Sequence, residues 1–139
     1  MRPTTIMKGG LIAGMLLSLS VNLVAQGGGS LRAAVGKTQR VRFARGRITA
    51  ILKGAVIRGT QDRYILGARA GQTMIVHVTS PAKNAVFTIL DPGGTALEGT
   101  DEGLDAMDWT GELPLSGDYS IRVSPTRGNS TYTLEITIR

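Results

Sequence analysis

The stretch from residue 113 to residue 138 constrains the fold more than any other. Within it Tyr119, Ile121 and Val123 alternate with Ser120 and Arg122, and Tyr132, Leu134, Ile136 and Ile138 alternate with polar residues. A period of two buries one face of a strand, whereas a helix would bring apolar residues round at every third or fourth position. Ahead of the first run, Ser116-Gly117-Asp118 carries turn chemistry: glycine tolerates positive φ, and serine and aspartate hydrogen-bond nearby backbone. Residues 124–131 contain Pro125, Arg127, Gly128 and Asn129. They predict a loop that closes the two strands into a hairpin.

The same alternation recurs upstream in shorter pieces. Val41 and Phe43 alternate with Arg40 and Arg42, which predicts a first strand at 39–43 with a basic outer face. Further strands are expected at 47–53, 63–70, 73–80, 85–90 and 107–113. Polar or glycine-rich turns separate them: 58–62, Gly71-Gln72, Pro81-Ala82-Lys83-Asn84 and Asp91-Pro92-Gly93-Gly94. Residues 95–98 are a short strand at most, and 99–105 form an acidic, glycine-containing loop. Beyond residue 26 no window of a dozen residues has helical spacing. Turn signals at such close intervals predict an all-β chain, an antiparallel β-sandwich (jelly-roll-like) of about eight short strands.

The first residues follow a different rule. Arg2 and Lys8 precede an apolar run at 11–24 that Ser18, Ser20 and Asn22 interrupt, and Leu23-Val24-Ala25 offers a cleavage site before Gln26. This is the pattern of a secretory signal peptide at 1–25, so a periplasmic or secreted protein without a membrane span after cleavage is expected. Residues 26–38, opening with Gln26-Gly27-Gly28-Gly29-Ser30, read as a flexible linker, and 39–139 as the β-sandwich domain. The chain has no cysteine, so no disulfide supports the fold. Its net charge of +6 is unevenly spread. Residues 26–90 hold eleven lysines and arginines against the single acid Asp62, while 91–118 hold eight acids and no base. Such a division gives a bipolar surface able to orient a charged partner.

Catalytic parts are missing. There is one histidine, His77, no cysteine and no Gly-x-Ser-x-Gly turn, so nucleophilic catalysis lacks its usual groups. His77 alternates with Val76 and Val78 and belongs on an outer strand face. Asp101, Glu102, Asp105 and Asp108 are oxygen donors of the kind calcium takes, but their spacing is not that of an EF-hand loop, and neither metal nor cofactor is expected. Few aromatics and an export signal argue against nucleic acid. Trp109, Tyr64, Tyr119 and Tyr132 are in phase with apolar neighbours and belong to the core. Arg127 alone stands outside the strand alternation, at a loop tip where a guanidinium can pair bidentately with a partner's carboxylate.

Leu113-Pro114-x-Ser116-Gly117-x-Tyr119-x-x-Arg122-Val123-x-x-Thr126-Arg127, followed by Tyr132 and Ile136-x-Ile138, resembles the C-terminal region of bacterial periplasmic inhibitors of g-type (goose-type) lysozyme. The likeness extends upstream through Val41-x-Phe43, Gly46, Ile57-x-Gly59, Tyr64 and Gly71-Gln72. It implies a β-sandwich that blocks a glycosidase cleft with surface loops, a g-type lysozyme as protein partner, no enzymatic activity, and partner-binding residues at Ser116, Gly117, Tyr119, Thr126 and Arg127. Where the family usually continues this loop with further basic residues, Gly128-Asn129-Ser130-Thr131 has none. More loosely, the same segments resemble bacterial pre-peptidase C-terminal-like domains. These imply the alternative of a non-catalytic binding or accessory domain for cell-wall glycan or an exported protein.

Overall fold

The structure, a computed structural model, describes residues 34–139. The expected signal peptide at 1–25 and the linker up to residue 33 lie outside the described residues. Eight strands follow: β1 (Ala34–Arg40), β2 (Thr49–Val56), β3 (Thr60–Ala68), β4 (Thr73–Thr79), β5 (Ala85–Leu90), β6 (Asp108–Glu112), β7 (Gly117–Pro125) and β8 (Ser130–Ile138). They form two four-stranded sheets, β1-β3-β7-β5 and β2-β8-β4-β6. Odd-numbered strands make one sheet and even-numbered strands the other, so every connection crosses between sheets. All pairings are antiparallel except β1 with β3, which is parallel.

This topology corrects the hairpin expected at 113–138. β7 lies between β3 and β5, and β8 lies between β2 and β4 in the opposite sheet. The two alternating runs do face one another, but across the core. A period of two states which residues point inward. It does not state which strand is the hydrogen-bonded neighbour, and a short loop can arch between sheets as readily as turn within one.

The core is what the alternation foretold. Tyr64, Leu66, Phe87, Ile89, Tyr119, Ile121 and Val123 come from one sheet, and Val56, Met74, Val76, Val78, Tyr132, Leu134 and Ile136 from the other; all are buried. Each such side chain stabilises the fold by about 1.5–3 kcal/mol through area removed from water. Trp109 is partly buried against this cluster, and its indole N–H donates to the Glu98 carbonyl at 3.0 Å. His77 lies on the outer face of β4, between Asp108 of β6 and Glu135 of β8 in register, and its Nδ1 pairs with Asp108.

Two further boundaries differ from the sequence reading. The first strand is Ala34–Arg40 rather than 39–43, so residues 34–38 of the expected linker are strand and residues 41–43 are not. β1 is an edge strand, exposed almost throughout, and it attaches to β3 by backbone hydrogen bonds, so nothing required its side chains to alternate. Asp62, expected in a polar turn at 58–62, is instead buried inside β3. Its Oδ1 accepts from the Lys37 amide at 2.9 Å and its Oδ2 from the Tyr132 hydroxyl at 2.6 Å. Because the Tyr132 hydrogen is committed to Asp62, Tyr64, whose hydroxyl lies 2.6 Å from that of Tyr132, is the donor between the two phenols. Glycines make room for this chain: a Cβ on Gly36 would come within 2.6 Å of Asp62 Oδ1, and one on Gly54 within 2.5 Å of the Tyr132 hydroxyl.

Candidate functional site

Three turns meet at one end of the sandwich, and a buried asparagine holds them together. Asn84, the last residue before β5, donates from Nδ2 to the carbonyls of Arg127 at 3.0 Å and Asn129 at 3.1 Å. Its own carbonyl accepts from the Thr126 amide at 2.9 Å, and its amide donates to Ser80 Oγ at 3.0 Å. Asn129 reaches the β2–β3 turn, where its Oδ1 accepts from the Arg58 amide at 2.8 Å. Arg127 donates from Nη2 to the Ala82 carbonyl at 2.8 Å, which lays its side chain along the β4–β5 turn. Gly128 takes a φ of 57°, and Lys83 has a φ of 53°, so the loop and the turn beside it both use left-handed backbone.

The result is a cationic tip. Arg58, Lys83 and Arg127 come from three different turns, all are exposed, and none is in an ion pair among the described residues. Against it stands an acidic shelf. Asp101, Glu102 and Asp105 of the β5–β6 connection border a cavity of about 250 Å³ that Ser124, Pro125 and Thr126 also line. Gln61 bridges shelf and strand, donating from Nε2 to Ser124 Oγ at 3.0 Å and to Glu102 Oε1 at 3.3 Å. Among the described residues no three histidine, aspartate or glutamate side chains gather as a metal site would require.

The residues singled out from sequence fall at two places. Thr126 and Arg127 are exposed on the cationic tip. Ser116, Gly117 and Tyr119 stand at the other end of β7, whose nine residues span roughly 26 Å at the usual strand rise. There Ser116 Oγ accepts from the Ala70 amide at 2.9 Å. Gly117, at φ 143°, lies against Pro92, which a Cβ would approach to 2.9 Å. Tyr119 is wholly buried, and its hydroxyl donates to the Leu115 carbonyl at 2.6 Å while accepting from the Leu115 amide at 3.1 Å. These contacts lock the entry into β7. The structure brings the Ser-Gly-x-Tyr residues together and keeps them apart from Thr126 and Arg127. The sequence reading missed Arg58, Lys83 and Asn84 because each lies in an ordinary-looking polar turn; only the meeting of those turns in space marks them.

No protein-family model matches the sequence, and no curated protein matches it. Solved structures do. The PliG periplasmic inhibitor of g-type lysozyme from Aeromonas hydrophila is 32% identical, with a TM-score of 0.65, over 76% of this chain and 98% of that one. This chain belongs to the family of periplasmic inhibitors of g-type lysozyme. The Salmonella Typhimurium member is 25% identical, with a TM-score of 0.61 over 75% of this chain and 99% of that one. The pre-peptidase C-terminal domain of a Bacillus anthracis collagenase, at 15% identity and TM-score 0.54 over 74% of this chain and 95% of that one, shares the fold alone. Both resemblances drawn from the sequence are therefore found in structure, with the higher sequence identity on the side of the inhibitors, 32% and 25% against 15%. In this member of the family the Thr-Arg loop is short, and the neighbouring turns add Arg58 and Lys83 beside it.

Proposed function

We propose that the protein is an exported, non-catalytic inhibitor that acts in the periplasm on a g-type lysozyme, entering the glycosidase cleft with the Arg127 tip. The observation that carries this reading is the 32% identity to the Aeromonas hydrophila inhibitor over 98% of that chain. Glycosidases cleave with paired carboxylates, so a lysozyme cleft presents an acidic target to an inserted guanidinium. Arg127 suits the task. Its loop is clamped by Asn84 and its side chain is already tethered to Ala82, so little freedom remains to be lost on binding. Arg58 and Lys83 supply the additional positive charge that the short loop itself lacks. The acidic shelf at 101–105 faces outward next to the tip and steers the basic rim of such an enzyme. Thr126 is the second contact residue of this loop, while Ser116, Gly117 and Tyr119 fix the far end of β7.

The test is a cell-wall clearing assay in which residues 26–139 are titrated against goose-type, chicken-type and invertebrate-type lysozymes. Inhibition of the goose type is expected, with Arg127→Ala weakening it by about 2 kcal/mol or more. Absence of inhibition at micromolar protein would sink the reading. Ser116→Trp, an exposed change at the opposite end, should leave inhibition in place; loss there with Arg127→Ala silent would move the docking surface to the Ser116 end.

A further inference from the structure

β2 ends its sheet: it pairs with β8 on one side and, among the described residues, with no strand on the other. Which of its backbone groups face the open edge follows from the bonds around β8. The Ile138 amide donates to the Ile48 carbonyl at 3.0 Å, while Arg139 and Thr73 exchange hydrogen bonds at 3.0 and 2.7 Å. Antiparallel ladders bond alternate residues, so the even-numbered residues of β8 bond to β2 and the odd-numbered ones to β4. On β2 the even-numbered residues are therefore the ones already bonded. The amides and carbonyls of Thr49, Ile51, Lys53 and Ala55 point to the open edge.

Exposed apolar side chains gather at the same strand. Of the six large ones exposed among the described residues, Ile48, Ile51 and Ile57 lie in or beside β2, each more than half exposed. Unpaired backbone that carries apolar side chains is a template for a further strand. β5, at an edge of the other sheet, shows the usual remedy, since bridges from Ala96 and Ala106 cover it. β2 has no such cover among the described residues.

We propose that the occupant of this edge is β2 of a second copy of the chain, paired antiparallel about a two-fold axis at Leu52. The strand is complementary to itself in that register. Thr49 stands opposite Ala55 of the second copy and Ile51 opposite Lys53, so every outward amide and carbonyl of both strands is bonded. A slip of two residues either way leaves some of them unpaired, and one of the two slips sets Lys53 against Lys53, where like charges repel. A slip of one turns the faces over. In the two-fold register the aliphatic stem of Lys53 covers Ile51 of the other copy. Glu135 is in register with Ile51 on β8, so that lysine stands two strand spacings, about 10 Å, from a carboxylate of opposite charge. On the inner face the two Leu52 side chains, each only partly buried in one copy, meet in a non-hydrogen-bonded pair, where side chains come closest. Ala50 faces Gly54, and both are small enough for the strands to approach. Because β2 runs toward the tip, the axis sets the two Arg127 loops at opposite ends of one continuous sheet and leaves both free.

One strand per copy is a contact at the small end of protein interfaces, below about 1,200 Å² in total, so the dimer dissociates on dilution. The test is sedimentation equilibrium of residues 26–139 from low micromolar to near-millimolar concentration. A reversible monomer–dimer equilibrium is expected, with hydrogen exchange at the Ile51 and Lys53 amides slowing as the dimer fills. Ile51→Pro removes an amide hydrogen that bonds nothing within one copy, a change edge strands accept. It should raise the dissociation constant about tenfold or more. Lys53→Glu, which brings a carboxylate toward Glu135 of the other copy, should weaken the dimer in the same direction. The chain has no cysteine, so single cysteines report the register. Under mild oxidation Leu52→Cys should form a disulfide-linked dimer well ahead of Ile51→Cys and Lys53→Cys. A monomer at every concentration would leave the edge to a foreign strand and overturn the proposal. So would a dimer undiminished in both Ile51→Pro and Lys53→Glu, or cross-linking through Ile51→Cys or Lys53→Cys ahead of Leu52→Cys.

Discussion

Tyr132 donates its phenolic hydrogen to Asp62 across the interior at 2.6 Å, and so joins β8 of one sheet to β3 of the other. The bond does more than link sheets. Asp62 also holds the Lys37 amide at 2.9 Å, so the otherwise exposed edge strand β1 is fastened to the same carboxylate. Burial first, and the hydrogen bond to Asp62 second, push the Tyr132 phenol far above its usual titration range. Tyr132→Phe would leave a buried carboxylate oxygen without its donor, at a cost of about 1–3 kcal/mol in urea unfolding. Amide exchange should rise in β1 as well as in β8. A variant as stable as the wild type would mean that water replaces the phenol.

The sign of the alkaline dependence follows from the same shift. A tyrosine held neutral in the folded state and free to ionise in the unfolded one contributes stability that is full below the unfolded value, near pH 10. That stability falls as pH rises beyond it, because the unfolded chain then binds fewer protons. Unfolding free energy followed from pH 8 to 11 should turn downward near the upper end, and Tyr132→Phe should flatten that limb.

Arg40 and Asp118 form the exposed counterpart of this buried link. The Arg40 hydrogen bonds, and to a smaller degree its charge, hold the Asp118 carboxyl below its ordinary value. A depressed carboxyl stabilises the fold above its unfolded value and loses that contribution as pH falls through the folded one, below about pH 4. In an NMR titration the Asp118 midpoint should rise toward the ordinary carboxylate value in Arg40→Gln. Added salt should narrow the difference, since both side chains are half exposed.

Asn84 separates positioning of the tip from contact with a partner. It is buried, and it supplies both hydrogen bonds that hold the Arg127 and Asn129 carbonyls. Asn84→Ala should free residues 126–129, seen as faster amide exchange there, and weaken lysozyme inhibition although residue 84 touches no partner. Should the loop loosen without loss of inhibition, preorganisation of Arg127 would not matter to binding.

Much of this molecule was legible in the sequence because burial on one face of a strand leaves a period of two. Tyr119, Ile121, Val123, Leu134 and Ile136 announced themselves in that way, and β5 was bounded correctly by Pro81 before it and Asp91-Pro92 after it. Pairing left no such trace: β7 and β8 carry the same pattern whether they are partners or face each other across the core. β1 was hidden because an exposed edge strand is held through its backbone. Asp62 was misplaced because a buried carboxylate is written with the same letter as a turn residue; its partners, the Lys37 amide on β1 and the Tyr132 hydroxyl on β8, lie 25 and 70 residues away in the sequence. Of the site, Arg127 stood out as a charge outside any alternation, while Arg58 and Lys83 gained meaning only when Asn84 and Asn129 brought their turns to it.

That convergence can be measured. If Arg58 and Lys83 act only by adding positive potential around Arg127, neither needs a fixed partner. Arg58→Ala and Lys83→Ala should then each weaken inhibition by less than Arg127→Ala, by about 0.2–1 kcal/mol as for solvent-exposed charge pairs. The loss should fall mainly on the association rate, and raising the salt should erase it, because exposed charges steer encounter more than they hold the complex. Arg127→Ala should instead raise the dissociation rate and keep most of its effect at high salt, as expected for a guanidinium buried in an acidic cleft. Association and dissociation rates measured at low and high salt for the three variants separate these roles. Equal salt sensitivity in all three would place Arg127 on the rim with the others, and the inserting residue would have to be sought elsewhere on the tip.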